Sequence, residues 1–151
     1  MRIYELLSDD KFYYIVSEFI KYGELYEFIV KRGGITELEV IKITKQIFLA
    51  LNYMHQNSIM HRDIKPENIL MDNVDDLYIK LTDFGFSTYF APGKTQNEVL
   101  GSPIYMPPEI VAQCDYDAKV DVWSAGAVAY VLLTGKPPFF GDTKEAVYNA
   151  I

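Results

Sequence analysis

The sequence predicts an α+β fold in which a small amount of β structure is followed mostly by helix. Three observations carry this prediction. Two β-rich runs flank a turn at residues 8–10, a capping pattern opens a long helix at Thr36, and an apolar run fills residues 120–133. The chain has 151 residues, and 50% of them are hydrophobic, which is enough for one domain with a buried core.

The first elements follow from local patterns. The run RIYELLSDDKFYYIVSEFI contains the two β-rich segments and the turn at residues 8–10, which is typical of a hairpin. ELYEFIVKR indicates a short helix that ends at the glycine pair 33–34, because glycine tolerates the left-handed conformation at a helix end. Thr36 and Glu39 form a capping-box pattern, so we expect a long helix to run from there to about Gln56.

The second half is predicted from spacing and composition. Apolar residues of the long helix recur at helical spacing and are interpreted as core: Val40, Ile43, Ile47, Leu51 and Met54. NIL and YIKLT then predict two short strands around a turn at residues 72–76. Residues 87–108 show little periodicity and predict a loop. The run at residues 120–133 is apolar nearly all round, which predicts a buried central helix that ends at Gly135.

Composition narrows the classes of function. A formal net charge of −7, with no basic block, argues against a nucleic-acid surface. The first residues do not form a signal peptide, and the longest apolar run, residues 122–134, is too short for a membrane span. Cys114 is the only cysteine, so an internal disulfide is excluded and a buried or partly buried thiol is expected. We therefore expect a cytoplasmic protein.

The segment HRDIKPEN contains a high density of charged residues. Packing charged side chains into a fold is costly, so we expect a ligand or partner to interact with them. Further along, DFG follows a predicted strand. Phosphoryl transfer needs a group that orients a hydroxyl, oxygen ligands for Mg²⁺ and a cation near the moving phosphoryl group. We interpret Asp63 as the acceptor of the hydroxyl proton and Lys65 as the cation. We count Asn68 with these two catalytic residues. Asn68 and Asp83 are also the candidate metal ligands.

Four strings in this order, HRDIKPEN, DFG, GSPIYMPPE and DVWSAGAVAYVLLTGKPPF, resemble a eukaryotic Ser/Thr protein kinase. The resemblance implies a protein-kinase-like fold, with ATP and Mg²⁺ as cofactors and protein Ser or Thr hydroxyls as acceptors. It identifies residues 1–17 as the end of the small lobe, 18–23 as the hinge and 24–151 as a mostly helical large lobe, truncated at its carboxyl end. Because the Gly-rich loop and the ATP-orienting lysine are expected upstream, this stretch alone is expected to be inactive.

The same resemblance assigns a nucleotide site. Glu18 and Ile20 fall in the hinge, whose backbone would bind adenine, and Ser17 is the small gatekeeper before it. Leu70 is expected to form the floor under adenine. Glu24, directly after the hinge, is grouped with the cofactor-binding residues and also matches an acidic residue that selects basic peptides.

Other positions are expected to be structural. The resemblance implies that His61 and Phe84 stack in an apolar spine, and that Asp121 fixes the backbone of HRDIKPEN from beneath. His55 is interpreted as a hydrogen-bonded structural histidine. Glu109 of the PPE string corresponds to an ion-pair residue whose arginine partner is expected downstream.

The sequence leaves open which kinase subfamily the chain resembles and whether it is a non-catalytic protein. Lys65 in DIKPEN implies Ser/Thr specificity. The strongest resemblance is to calcium/calmodulin-type and calcium-dependent protein kinases, which implies a calcium-sensing regulatory domain outside this chain. With Glu24 and Glu67 expected in the peptide groove, a basic residue upstream of the acceptor is the expected preference. Alternatives are an autophagy-initiating kinase, from DFGFSTY and GSPIYMPPEI, and a non-catalytic scaffold.

A switch is also implied by the resemblance. The position three residues before Gly101 carries a phosphate in many such kinases, and here it is Glu98. A carboxylate supplies about one negative charge permanently, against ~1.5 to 2 for a phosphate. We expect Glu98 to pair with Arg62 and to order the loop without an upstream kinase. Thr95 is the alternative phosphorylation site.

Overall fold

The computed structural model describes residues 1–91 and 93–151. Its strands and helices, in chain order, are β1 Ile3–Ser8, β2 Tyr13–Ser17, α1 Leu25–Arg32, α2 Glu37–Gln56, β3 Ile59–Met60, β4 Ile69–Asn73, β5 Tyr78–Leu81, β6 Thr88–Tyr89, α3 Pro108–Val111, α4 Lys119–Thr134 and α5 Lys144–Ala150. The strands pair two by two as β1–β2, β3–β6 and β4–β5, each antiparallel. The expected α+β class, with more helix than strand, is confirmed.

The predicted amino-terminal hairpin is present. Leu6 of β1 lies opposite Ile15 of β2. Asp9 closes the turn, because its carboxylate accepts hydrogen bonds from the amides of Lys11 and Phe12, both at 2.8 Å. Both strands are exposed over nearly their whole length. The hairpin therefore contributes little to the core within the described residues.

The two helix boundaries predicted from capping patterns are confirmed. Gly33 ends α1 in the left-handed conformation at φ 76°, where its amide bonds carbonyls of the last turn. Thr36 opens α2 with a full capping box: its amide donates to the Glu39 carboxylate at 2.7 Å, and the Glu39 amide donates to the Thr36 hydroxyl at 3.4 Å. Such a cap contributes about 1 kcal/mol.

The core lies where α2 packs on α4 and on the β4–β5 ribbon. The α2 residues expected from spacing are all buried: Val40, Ile43, Ile47, Leu51 and Met54. They share one apolar cluster with Ala125, Val128 and Leu132 of α4. Burying a Leu or Ile side chain contributes about 1.5–3 kcal/mol, so this helix pair is the main support of the fold.

Two expectations about burial are wrong. The helix α4 is present and ends at Gly135, but Val122, Tyr130 and Leu133 on its other side are exposed. The reason is that no element of residues 1–91 or 93–151 packs over that side. Cys114 is exposed rather than buried, because it lies in the turn after α3 where the chain runs over the surface.

Two ribbons bring the polar motifs together. β3 ends directly before HRDIKPEN and β4 begins directly after it. β5 pairs with β4 so that Leu81, two residues before DFG, lies opposite Ile69. The start of DFG therefore lies beside the end of HRDIKPEN. None of the helices in the described ranges is long and apolar enough to cross a membrane.

Candidate functional site

The loop of residues 61–68, called here the HRD loop, is fixed from beneath by Asp121 of α4. Asp121 is 1% exposed, and its two carboxylate oxygens accept hydrogen bonds from the amides of His61 at 2.9 Å and Arg62 at 2.8 Å. Nε2 of His55 lies 2.8 Å from the same carboxylate. Arg62 has a φ of 67°, a strained value for a non-glycine residue. The structural roles expected for Asp121 and His55 fit these contacts.

The His61 ring is neutral and oriented. Nδ1 accepts a hydrogen bond from the Asp63 amide at 3.3 Å, so the ring proton is on Nε2, which donates to the Thr82 carbonyl at 3.1 Å. Burial lowers the pKa of His61 despite the nearby carboxylates of Asp121, Asp63 and Asp83. The ring centroid lies 5.1 Å from that of Phe84 with the ring planes tilted by 47°, so the two rings are in contact but are not stacked face to face as expected.

Asp63 is buried and holds a negative charge. Its Oδ1 accepts a hydrogen bond from the Ser102 hydroxyl at 2.9 Å, and its Oδ2 accepts from the Asn68 amide nitrogen and from the Lys65 ammonium, each at 2.9 Å. Burial raises the pKa of Asp63, but the hydrogen bonds from Lys65 and Ser102 outweigh it and hold the pKa below its usual value. Asp63 is therefore a carboxylate at neutral pH.

Ser102 is a site residue that the sequence reasoning missed. Its hydroxyl bonds Asp63 and accepts a hydrogen bond from the Lys65 ammonium at 3.0 Å. The preceding Gly101 has a φ of 109°, and a Cβ there would lie 2.8 Å from the Arg62 carbonyl oxygen. Only glycine allows this close approach of the two loops. The GSP string was the available signal, since glycine before a hydroxyl residue can mark a tight backbone approach.

Asn68 and Asp83, the candidate metal ligands, lie on adjoining segments. The Asn68 amide nitrogen donates to the Asp63 backbone carbonyl and to its carboxylate, both at 2.9 Å, which leaves the amide oxygen free of those bonds. The Thr82 amide donates to the Asn68 carbonyl at 3.0 Å, directly before Asp83. Asp83 is exposed and has a φ of 56°. In the described part of the chain, no three His, Cys, Asp or Glu side chains cluster as a metal site.

The end of the segment expected to be the hinge lies beside β4. The Met71 amide donates to the Gly23 carbonyl at 2.8 Å, and Glu24 pairs with Leu70 in an isolated β-bridge. Ile20 is buried. The structure thus brings Glu24 and Leu70 together at one edge of the HRD loop.

The Glu18 side chain is held by Lys80, the β5 residue opposite Leu70. Its Oε2 lies 2.8 Å from the Lys80 ammonium, and its Oε1 accepts a hydrogen bond from the Arg2 amide at 2.5 Å. The hydrogen bond from Lys80 lowers the pKa of Glu18. The Glu18 amide donates to the Arg2 carbonyl at 2.9 Å, and the Glu18 carbonyl accepts a hydrogen bond from the Ser17 hydroxyl at 3.4 Å, which leaves the carbonyl one lone pair for a ligand.

One carboxylate oxygen at the site is buried and unpaired. Oε2 of Glu67 is inaccessible and has no hydrogen-bond partner among residues 1–91 and 93–151. Burial, and then the negative charge of Glu67, raise the pKa of Tyr105. A buried carboxylate oxygen without a donor is costly, so the polar groups of Glu67 are incompletely satisfied within the described residues.

The expected ion pair between Arg62 and Glu98 is present. The guanidinium donates to the Glu98 carboxylate at 2.6 Å from Nη1 and to the Phe86 carbonyl at 2.6 Å from Nε. The Arg62 side chain is only 6% exposed, whereas that of Glu98 is 58% exposed. Burial would lower the pKa of Arg62, but Glu98 and Tyr116 raise it overall. Residues 83–102, called here the activation segment, are thereby tied to the HRD loop.

A buried aspartate bonded by a lysine, an asparagine and a serine, beside an exposed aspartate on the next loop, is the arrangement that phosphoryl-transfer enzymes of the kinase class use. The comparison with known families agrees with this. The family described as "Protein kinase domain" matches residues 1–151, so the chain belongs to the protein kinase domain family.

The relatives point to one subgroup. The chain is 41% identical over 153 residues to Calcium-dependent protein kinase 4 of Plasmodium falciparum (isolate 3D7), which covers 100% of this chain and 29% of the relative. It is 41% identical over 152 residues to Calcium-dependent protein kinase 11 of Arabidopsis thaliana, covering 100% of this chain and 30% of the relative. The chain therefore spans less than a third of the length of these curated relatives. Their names agree with the calcium-dependent group rather than the autophagy-initiating one.

Proposed function

We propose that the protein is a serine/threonine protein kinase that transfers the γ-phosphoryl group of ATP to Ser or Thr hydroxyls of other proteins. The observation that carries this proposal is the ionised Asp63 carboxylate, bonded by Lys65, Asn68 and Ser102 within 2.9 Å. Orienting an attacking hydroxyl requires such a fixed acceptor, and here a lysine and an asparagine of the same loop hold it in place.

In this proposal each polar residue has one task. Asp63 accepts the proton of the attacking hydroxyl, as its low pKa keeps it ionised at neutral pH. Lys65, 2.9 Å from that carboxylate, balances charge on the phosphoryl group during transfer. Ser102 forms hydrogen bonds with both side chains and so fixes their relative positions.

The residues present fit Mg²⁺ and ATP. Mg²⁺ prefers oxygen ligands and binds through one or two carboxylates together with phosphates and water. The Asp83 carboxylate and the Asn68 amide oxygen are such donors, on segments joined by the bond from the Thr82 amide to the Asn68 carbonyl. Bound Mg²⁺ would neutralise phosphate charge. At the hinge, the Glu18 carbonyl and the Ile20 amide would bind adenine above Leu70, with Glu24 beside it.

The test is phosphotransfer by the full-length gene product. We expect transfer of labelled γ-phosphate from ATP to a Ser- or Thr-containing peptide in the presence of Mg²⁺, and loss of that transfer in Asp63→Asn. Asp10→Asn, in the exposed β1–β2 turn, is the matched control and retains transfer. If the wild type binds partner proteins but transfers no phosphate, the non-catalytic scaffold is the correct function instead.

Substrate choice is proposed to depend on Glu67 and Glu24. The support is the part-exposed Glu67 side chain, whose Oε2 has no donor among the described residues, so that its carboxylate is incompletely balanced and can attract an arginine of the substrate. A peptide array is expected to show a preference for Arg upstream of the acceptor. Glu67→Gln weakens this preference, and Glu27→Gln, an exposed glutamate paired with Lys31, does not. An unchanged preference in Glu67→Gln would contradict the assignment.

The Glu98–Arg62 ion pair is proposed to order the activation segment without phosphorylation. Control would then come from elsewhere, and we propose a calcium-sensing domain of the full-length protein as the regulatory partner, since the relatives are named calcium-dependent kinases. Activity that rises with added Ca²⁺ in the full-length product, and with no need for an upstream kinase, is the expected result.

Cytoplasmic location also remains a prediction.

A further inference from the structure

Tyr116, in the turn between α3 and α4, contacts the activation segment through three separate groups. Its amide and carbonyl bond the carbonyl and amide of Gln96, both at 2.9 Å. Its hydroxyl donates to the backbone carbonyl of Glu98 at 2.8 Å. One residue outside the activation segment therefore contacts both ends of residues 96–98.

The same hydroxyl also contacts the HRD loop. Nη1 of Arg62 donates to the Tyr116 hydroxyl oxygen at 3.3 Å while it bonds the Glu98 carboxylate. A guanidinium with a 6% exposed side chain needs partners for its donors. Tyr116 is thus a neutral second partner for the cation that Glu98 neutralises.

Movement of this residue would be transmitted to the catalytic carboxylate. Arg62 precedes Asp63 and its carbonyl lies against Gly101, where an added Cβ would come within 2.8 Å. The following Ser102 bonds Asp63. Residues 98–102 therefore reach Asp63 only if the segment keeps the path that Tyr116 supports.

We propose that the Tyr116 hydroxyl is a positioning group for phosphoryl transfer, which joins the activation segment to Arg62 and so holds Ser102 against Asp63. This inference rests on the proposed kinase activity. The competing explanation is that Tyr116 only fills the apolar cluster of Met106, Ile110 and Val120, in which it is 3% exposed. The two explanations differ in the hydroxyl, because the ring packs equally well without it.

The experiment compares Tyr116→Phe with Tyr148→Phe in the full-length gene product. Tyr148 packs against the same cluster, but its hydroxyl bonds the Met106 sulfur at 3.4 Å and not the activation segment. We expect Tyr116→Phe to lower kcat about tenfold, equivalent to about 1.4 kcal/mol, with the KM for ATP unchanged. Tyr148→Phe keeps the wild-type kcat. Equal kcat values for Tyr116→Phe and wild type, or equal losses in the two variants, would overturn the proposal.

Two further measurements separate this inference from the kinase assignment. Amide hydrogen exchange of residues 94–101 is expected to rise in Tyr116→Phe and not in Tyr148→Phe, whether or not the protein transfers phosphate. In the double variant Tyr116→Phe, Glu98→Gln, the loss in kcat is expected to be smaller than the product of the single losses, because both act through Arg62. Unchanged exchange, or losses that multiply, would mean that the hydroxyl does not position the segment. An inactive wild type with the expected exchange pattern would contradict only the kinase function.

Discussion

The HRD loop and the activation segment lie against each other but are held in different ways. In the HRD loop, His61, Asp63 and Asn68 are buried and bonded by neighbouring groups on several sides. The activation segment is exposed over much of its length. Its first half pairs with β3 through β6 and bonds Arg62 through the Phe86 carbonyl, whereas residues 93–102 are attached at a few points, through Glu98 and Ser102 to the HRD loop and through Thr95 and Gln96 to the turn before α4. The fixed part carries the groups whose geometry must not vary, and the sparsely attached part is the one whose order can change.

The largest effects are expected from the two aspartates, one in each region. Asp63→Ala and Asp83→Ala are both expected to lower kcat by about 10³-fold, or about 4 kcal/mol, because each removes a group needed in the transition state. Only Asp63→Ala is expected to lower thermal stability as well. It removes a buried carboxylate that accepts hydrogen bonds from Lys65, Asn68 and Ser102, whereas Asp83 is exposed.

Steady-state kinetics and thermal unfolding of the full-length product test this contrast. Asp10→Ala, in the β1–β2 turn, is the exposed control. Wild-type turnover in either variant would remove that residue from the proposed site. Equal stability losses in both would show that the two regions are not held differently.

The next largest effect is expected from removing Asp121, which supports the HRD loop. Asp121→Ala is expected to reduce the free energy of unfolding by about 3 kcal/mol, because it strips a charged acceptor from the buried amides of His61 and Arg62 and from His55. Urea denaturation measures the change, and Asp142→Ala, an exposed carboxylate before α5, is the control. A loss below about 1 kcal/mol would mean that the loop keeps its shape without Asp121.

The attachment of the activation segment is expected to affect activity more than stability. Glu98→Gln should lower kcat about tenfold, while the free energy of unfolding changes by less than about 1 kcal/mol, since the Glu98 side chain is 58% exposed. Kinetics of protein produced without other kinases test this, with the exposed Glu5→Gln as control. Full activity of Glu98→Gln, or a wild type that is inert until Thr95 is phosphorylated, would disprove the built-in switch.

The smallest expected effect is the pH dependence of stability caused by His61 in the HRD loop. Since the pKa of His61 is lowered from its ordinary 6.5, the unfolded chain binds more protons than the folded one between the two values, and stability falls as the pH drops through that window. The slope is at most about 1.4 kcal/mol per pH unit. Denaturation between pH 5 and 8 should show it in wild type and in His55→Gln but not in His61→Phe. The same slope in His61→Phe would mean that His61 titrates normally.

Local patterns predicted the helices well because they act over a few residues. The capping box at Thr36 and the apolar spacing from Val40 to Met54 depend only on neighbours in the chain, and both were confirmed. Burial was predicted less well. An apolar run such as α4 can bury one side and expose another, since the outcome depends on which elements pack against it.

The candidate site also has features that local patterns predicted and features that they did not. Its residue types were predicted because HRDIKPEN and DFG hold an aspartate, a lysine, an asparagine and a second aspartate at short spacing. The part played by Ser102 was not predicted, because it comes from the path of a loop that returns to the HRD loop after many residues. The close approach of Gly101 to the Arg62 carbonyl is likewise a contact between distant segments, which no local pattern encodes.

By itself, the sequence determined the family, the α+β class, the ends of α2 and the identity of the charged residues, because these depend on motifs and on interactions a few residues apart. Only the tertiary structure decided that Asp63 is a buried, ionised carboxylate with three side-chain partners and that Tyr116 joins the activation segment to Arg62. It also decided that one Glu67 oxygen has no donor among residues 1–91 and 93–151. Desolvation and hydrogen bonding between distant segments set these properties, and both arise only when the chain is packed.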